Sequence, residues 1–91
     1  MEIKLSKPCA FEGKEYTELI LDFDSLTGRD MISAEAEARV IAGPAPVAEL
    51  SKPFLAVMAA KAAKVPVDLI VGLPANDFSK VTMAAQDFLL G

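Results

Sequence analysis

The sequence contains no histidine, no tryptophan and one cysteine, Cys9. The missing histidine removes the commonest general base and the commonest metal ligand together. One cysteine cannot close a disulfide within the chain or build a thiolate metal site. With no imidazole to activate it, Cys9 is also a poor nucleophile. Positive charge is scarce: 9 Lys and Arg stand against 13 Asp and Glu, a formal net charge of -4. Nucleic-acid affinity rests on clustered cations that release counterions from phosphate, so this balance argues against a nucleic-acid partner. Long apolar runs are missing as well. The apolar stretch Pro53 to Ala60 is far short of the ~20 residues a membrane crossing needs. Charges at Glu2, Lys4 and Lys7 stand where a secretory signal would be apolar. The expectation is a cytoplasmic protein with no membrane partner, no metal and no cofactor.

What the chain does have is apolar content: 53% of its 91 residues, with a mean hydropathy of +0.36. This length makes one domain, residues 1–91, with no room for a second core. A domain of this size hides only roughly 60–65% of its extended-chain surface. Apolar surface is therefore expected to be left over, for a second copy of the chain or for another protein.

Two periodicities divide the sequence. Over residues 1–23, Glu2-Ile3-Lys4-Leu5-Ser6-Lys7 alternates polar with apolar, and Pro8 marks a strand end or an edge. Gly13 supplies a turn between Phe11 and Tyr16, and Leu19, Leu21 and Phe23 then share one face with Thr17. Two strands alone are marginal in water, so this hairpin must lie on the helices that follow. Asp24 or Ser25 is placed to cap a first helix over 24–42, with Met31, Ala34, Ala38 and Ile41 on its inner face. Gly43-Pro44-Ala45-Pro46 opens a stiff linker over 43–50.

Ser51 caps the helical part, 51–91, with Pro53 in the first turn. Phe54 to Ala60 is apolar around the full helical turn, the pattern of a helix buried on all sides. A chain this short offers few elements to cover it, which predicts a homo-oligomer. A short helix follows from Val67 to about Val71, stopped by Gly72. Pro74 and Asp77 open the last helix, where Phe78, Val81, Ala85 and Phe88 recur at helical spacing. The predicted class is α+β: an N-terminal β-hairpin packed on a bundle of three to four α-helices.

No catalytic set emerges. Glu35 and Glu37, two apart on a helix, do not face each other. Asp22-Phe23-Asp24 lacks the further oxygens of a calcium loop. Asp24-Ser25-Leu26 before a helix resembles the serine of acyl carrier proteins, but a two-stranded alternation leads into it where a carrier has a helix and loop. The bland reading of Asp24 and Ser25 as caps is the better one.

In order and spacing, the pieces IKLSKP, FEGKEYTEL, LILDFDSLTGRDMISAEAEAR, ELSKPFLAVMAAKAAKVPVDLIVGLPANDF and QDFLL resemble small tail assembly chaperones of tailed phages and prophages. The resemblance spans nearly the whole chain. It includes an opening hairpin, an L-T-G-x-D helix start at Leu26 to Asp30, and L-P-x-x-D-F at Leu73 to Phe78. It implies a non-enzymatic assembly factor that binds the tape measure protein, helps recruit tail tube protein and leaves before the virion is complete. It also implies that a ribosomal frameshift can yield a longer product. An excess of apolar surface with net negative charge suits such a role.

The family carries no catalytic motif. A partner-binding face, if external, falls on the second and last helices: Phe54, Leu55, Met58, Phe78, Phe88 and Leu89, with Met83 as a further adaptable contact. The competing reading is that these residues fill the core. The alternative function is a small structural or connector subunit, or a stable homo-oligomer, with acyl carriage third.

Overall fold

Alternation at the start of the chain produces two antiparallel strands, β1 (Glu2–Phe11) and β2 (Lys14–Ile20), in a computed structural model that describes residues 1–43 and 51–91. Glu12 and Gly13 join them at φ 50° and φ 78°. Two positive dihedrals in a row give the turn a twist that matches right-twisted strands. Glycine takes its place there without strain, whereas Glu12 holds a conformation its Cβ disfavours.

The ladder has two registers. One runs from the Glu2–Ile20 pair to Lys4–Glu18, the other from Cys9–Tyr16 to Phe11–Lys14. Leu5 to Pro8 therefore lie opposite Thr17 alone. Of the two readings of Pro8, strand end or edge, the second holds: β1 is an edge of a two-stranded sheet and continues to Phe11, with Pro8 in this bulge, where no ladder N–H is required. The bulge also releases the Ser6 N–H to bond outside the sheet.

Beyond β2 the Met1 nitrogen donates to the Leu21 carbonyl at 3.0 Å and Leu21 returns a bond to Met1 at 2.7 Å. The chain then closes a 3-10 turn, Phe23–Ser25, and enters four helices: α1 (Gly28–Ala42), α2 (Lys52–Ala63), α3 (Val67–Val71) and α4 (Ala75–Leu90). A hairpin followed by four helices is the expected α+β arrangement.

The first helix starts later than residue 24, and neither Asp24 nor Ser25 caps it. Thr27 does: its Oγ1 accepts from the Asp30 N–H at 3.4 Å, while Asp30 Oδ2 accepts from the Thr27 N–H at 2.8 Å. This reciprocal capping box satisfies two otherwise orphaned donors. The Ser25 hydroxyl instead donates to the Asp22 carbonyl at 3.0 Å, closing the preceding turn. Gly43, at φ 86°, ends α1. The rest of the expected linker, Pro44 to Leu50, lies outside the described residues.

Ser51 Oγ accepts from the Phe54 N–H at 3.4 Å and begins α2, which Lys64 ends in a left-handed conformation at φ 59°. Every residue from Phe54 to Ala60 is buried. The surface that this pattern was expected to leave for self-association is covered within one chain, because β2, the 3-10 turn, α1, α3 and α4 all pack on α2. Covering a fully buried Leu, Met or Val side chain in this way contributes about 1.5–3 kcal/mol.

The core joins Leu19, Leu21 and Phe23 of the hairpin arm to α2, to Leu69 and Ile70 of α3, and to Val81, Ala84 and Ala85 of α4. From α1 only Ala34 and Ala38 are buried; Met31 is half-buried, and Ile41 does not join the inner face but stays exposed. An alanine contact brings two helices close yet shields only the middle of the smaller face. The Asp22 N–H donates to the Ala62 carbonyl at 3.0 Å, tying the hairpin's exit to the end of α2.

Candidate functional site

Where the hairpin, the 3-10 turn and the end of α4 meet, a cleft of about 610 Å³ opens to solvent. Its lining is Met1, Ile20, Leu21, Asp22, Phe23, Asp24, Asp87 and Phe88. The local sequence explains each wall. Ile20 points outward because its neighbours Leu19 and Leu21 point inward, and 57% of it is exposed. Met1 lies beside it, held by the paired bonds to Leu21, and is 64% exposed. Phe88 is 41% exposed although its ring stacks on Phe23 at a centroid distance of 5.1 Å and an angle of 18°. The stack fixes one face of Phe88 and leaves its edge in the cleft. Leu21 and Phe23 form the buried floor, and Asp22, Asp24 and Asp87 form an acidic rim.

A second concavity of about 480 Å³ shares Met1 and Asp87 with the first and runs on past Glu2, Ile3, Lys4, Lys80, Met83 and Ala84. The two make one trough along α4.

The six residues placed at a partner face by sequence separate here. Phe54, Leu55 and Met58 are buried in α2, where the chain itself covers them. Phe78 and Leu89 are half-buried and packed against the core. Phe88 reaches solvent, as does Met83. The structure therefore brings Phe88 together with Met1 and Ile20, which were not singled out. Ile20 had a readable signal, since it stands between Glu18 and Asp22 on the polar face of β2. Nothing in the sequence places Met1 near Phe88.

Several titratable groups have structural partners. Asp77, 0% exposed, receives the Ser6 N–H at 3.0 and 3.1 Å and the Ser6 hydroxyl at 2.9 Å, with Lys80 Nζ at 3.7 Å. Burial pushes its carboxyl pKa up, but the Ser6 donors and Lys80 outweigh this and hold it below the ordinary value of 3.8. Thr82, also buried, accepts from Lys52 Nζ at 2.9 Å and donates to the Phe78 carbonyl at 3.0 Å. Glu35 pairs with Arg39, and Glu37 with Lys61 at 2.8 Å. Cys9 is half-buried beside Tyr16 in the ladder. Among the described residues no group of three or more His, Cys, Asp or Glu side chains is arranged to hold a metal ion, and no helix is long and apolar enough to cross a membrane. The arrangement offers an apolar surface with a charged rim, which is the equipment of a binding site.

Residues 2–90 match the family model described as phage tail assembly chaperone proteins, E, or 41 or 14. No curated protein and no solved structure shows a significant match to the chain.

Proposed function

Because the chain belongs to the phage tail assembly chaperone family, we propose that it binds the tape measure protein in the host cytoplasm, assists assembly of the tail tube around it, and leaves before the virion is complete. The work is non-enzymatic. The match over residues 2–90 carries this reading, and the cleft supplies a surface for it. Met1, Ile20 and Phe88 expose apolar area on a folded chain, which is what holding an aggregation-prone partner requires. Burial of apolar surface, at roughly 25 cal/mol per Å², drives the contact. Tail tube protein is the second partner. Self-association has lost its support on α2; other exposed apolar residues, Ile32 and Val40 of α1 among them, leave surface for it.

Co-expression with the cognate tape measure protein tests the proposal. The partner should stay soluble and co-purify, and capture should survive raised salt. Ile20→Glu and Phe88→Glu should lose capture while keeping helix content, whereas Leu55→Glu, a core change, should unfold the chain. A tape measure protein that precipitates as it does alone, beside a folded wild-type chain, would overturn the reading.

A further inference from the structure

The trough along α4 differs chemically from end to end. At the end formed by the 3-10 turn, Asp22, Asp24 and Asp87 rim the apolar floor, and no lysine or arginine lines that cleft. Among the described residues none of these three carboxylates belongs to an ion pair. At the other end Lys4 stands opposite Glu18 across the ladder, and Lys80 pairs with Asp77 at 3.7 Å. Beside the three carboxylates the one cation is the Met1 ammonium, which donates to the Leu21 carbonyl. At the other end Glu2 and Glu18 face Lys4 while Asp77 faces Lys80, so the larger excess of negative charge lies around Met1, Ile20 and Phe88.

We propose that this trough takes an amphipathic helix whose apolar face lies on Met1, Ile20 and Phe88 and whose lysine or arginine residues lie against Asp22, Asp24 and Asp87. The inference rests on the reading of the cleft as a partner site and specifies its partner. A helix suits the trough because it satisfies its own backbone hydrogen bonds and needs only side-chain contact. From Lys80 to Phe88 the α4 wall rises about 12 Å at ~1.5 Å per residue, enough for two turns of a bound helix. Affinity comes from the apolar floor, while the carboxylates select a basic partner and set its direction.

A second copy of this chain is a poor occupant. Its net charge is -4, and its outward helix α1 carries Asp30, Glu35 and Glu37 against Arg29 and Arg39. With Glu35 paired to Arg39 and Glu37 to Lys61, that helix offers the rim no excess of cations.

The test titrates the full chain with a fluorescent amphipathic Leu/Lys peptide of about 18 residues, long enough to be helical, and with a Leu/Glu peptide of the same pattern. The Leu/Lys peptide should bind and the Leu/Glu peptide should not. Asp22→Asn/Asp24→Asn/Asp87→Asn should weaken binding about tenfold, the sum expected of three exposed charge contacts. Because any acidic protein attracts a basic peptide, a second variant, Glu12→Gln/Glu15→Gln/Asp68→Asn, removes the same charge elsewhere; its loss should stay under about threefold. Ile20→Glu should abolish binding in a folded chain. Equal losses in the two triple variants, equal binding of both peptides, or no binding of the Leu/Lys peptide would each overturn the proposal. Capture of the tape measure protein by the cleft triple variant at wild-type level would overturn it while leaving the chaperone reading intact. Precipitation of that protein beside the wild type would remove the chaperone reading, and the peptide titration would still decide the chemistry of the trough.

Discussion

Ser6 and Asp77, 71 residues apart, are joined by three hydrogen bonds that lock the bulge of β1 onto the first turn of α4. The bulge leaves the Ser6 N–H without a ladder partner, and the buried carboxylate needs donors; each answers the other's deficit. Removing the negative charge should therefore loosen the hairpin from the helices.

The pH dependence follows from the sign of the Asp77 shift. A carboxyl held below its ordinary value, here 3.8, contributes stability that is complete above that value and lost as pH falls through the folded-state value. Asp77→Asn should melt below wild type at pH 7, and the two melting curves should converge in the acid range below 3.8. A gap that stays constant from neutral to acid pH would mean that the carboxylate charge is not what stabilises the clamp.

Glu18 has the opposite sign. Hydrogen bonding to Glu2, then the repulsion between the two carboxylates, raises its carboxyl above the ordinary 4.5, with Lys4 opposing. A raised carboxyl favours the fold below its unfolded value and loses that contribution as pH rises through the folded one. Glu2→Gln should raise the melting temperature at pH 7, with the gain vanishing below 4.5. No gain at neutral pH would remove the strand-end repulsion from the account.

The true start of α1 can be read by mutation. Thr27→Ala should cost about 1 kcal/mol, the ordinary loss of a side-chain cap, whereas Ser25→Ala, at an exposed turn, should change stability by less than about 0.5 kcal/mol. Urea denaturation measures both. The reverse ranking would return the cap to Ser25.

Met58 lies at the centre of α2 and is fully buried. Met58→Ala should cost about 2–5 kcal/mol through lost burial and the cavity it leaves. Deleting residues 1–23 should be worse, because Leu19, Leu21 and Phe23 leave the core together, and the remaining helices should aggregate. A truncated chain that unfolds cooperatively and stays dispersed would show the hairpin to be dispensable.

Much of the fold was legible where a local pattern had a local cause, although the Thr27–Asp30 capping box, itself local, lost out to Asp24 and Ser25 as the expected cap. The alternation before Phe23, the Ser51 cap and the all-round apolar turn of α2 each reappear in the structure. What escaped were relations between distant residues. Helical spacing put Phe88 on a face with Val81 and Ala85, and its ring does stack on Phe23 of the core, yet it stays 41% exposed at the edge of the hairpin arm. The uncovered surface attributed to α2 vanished because five elements converge on it, a fact of topology that no single helix reveals. Three of the motif pieces prove to be structural devices: Leu5 to Pro8 is the bulge, Thr27 to Asp30 is the capping box, and Asp77 is the clamp.

The alanine seat of α1 has a consequence for motion. With only Ala34 and Ala38 buried and a salt link from Glu37 to Lys61 at 2.8 Å, this helix gives up little apolar burial when it lifts from α2. Opening free energies within one protein range from near zero up to the global value, and elements with few buried apolar groups lie at the low end. α1 is thus expected to lift first, before the rest unfolds. Its amides should exchange with deuterium well ahead of those of α2, and each opening would bare a flank of the stretch Phe54 to Ala60, which is otherwise buried.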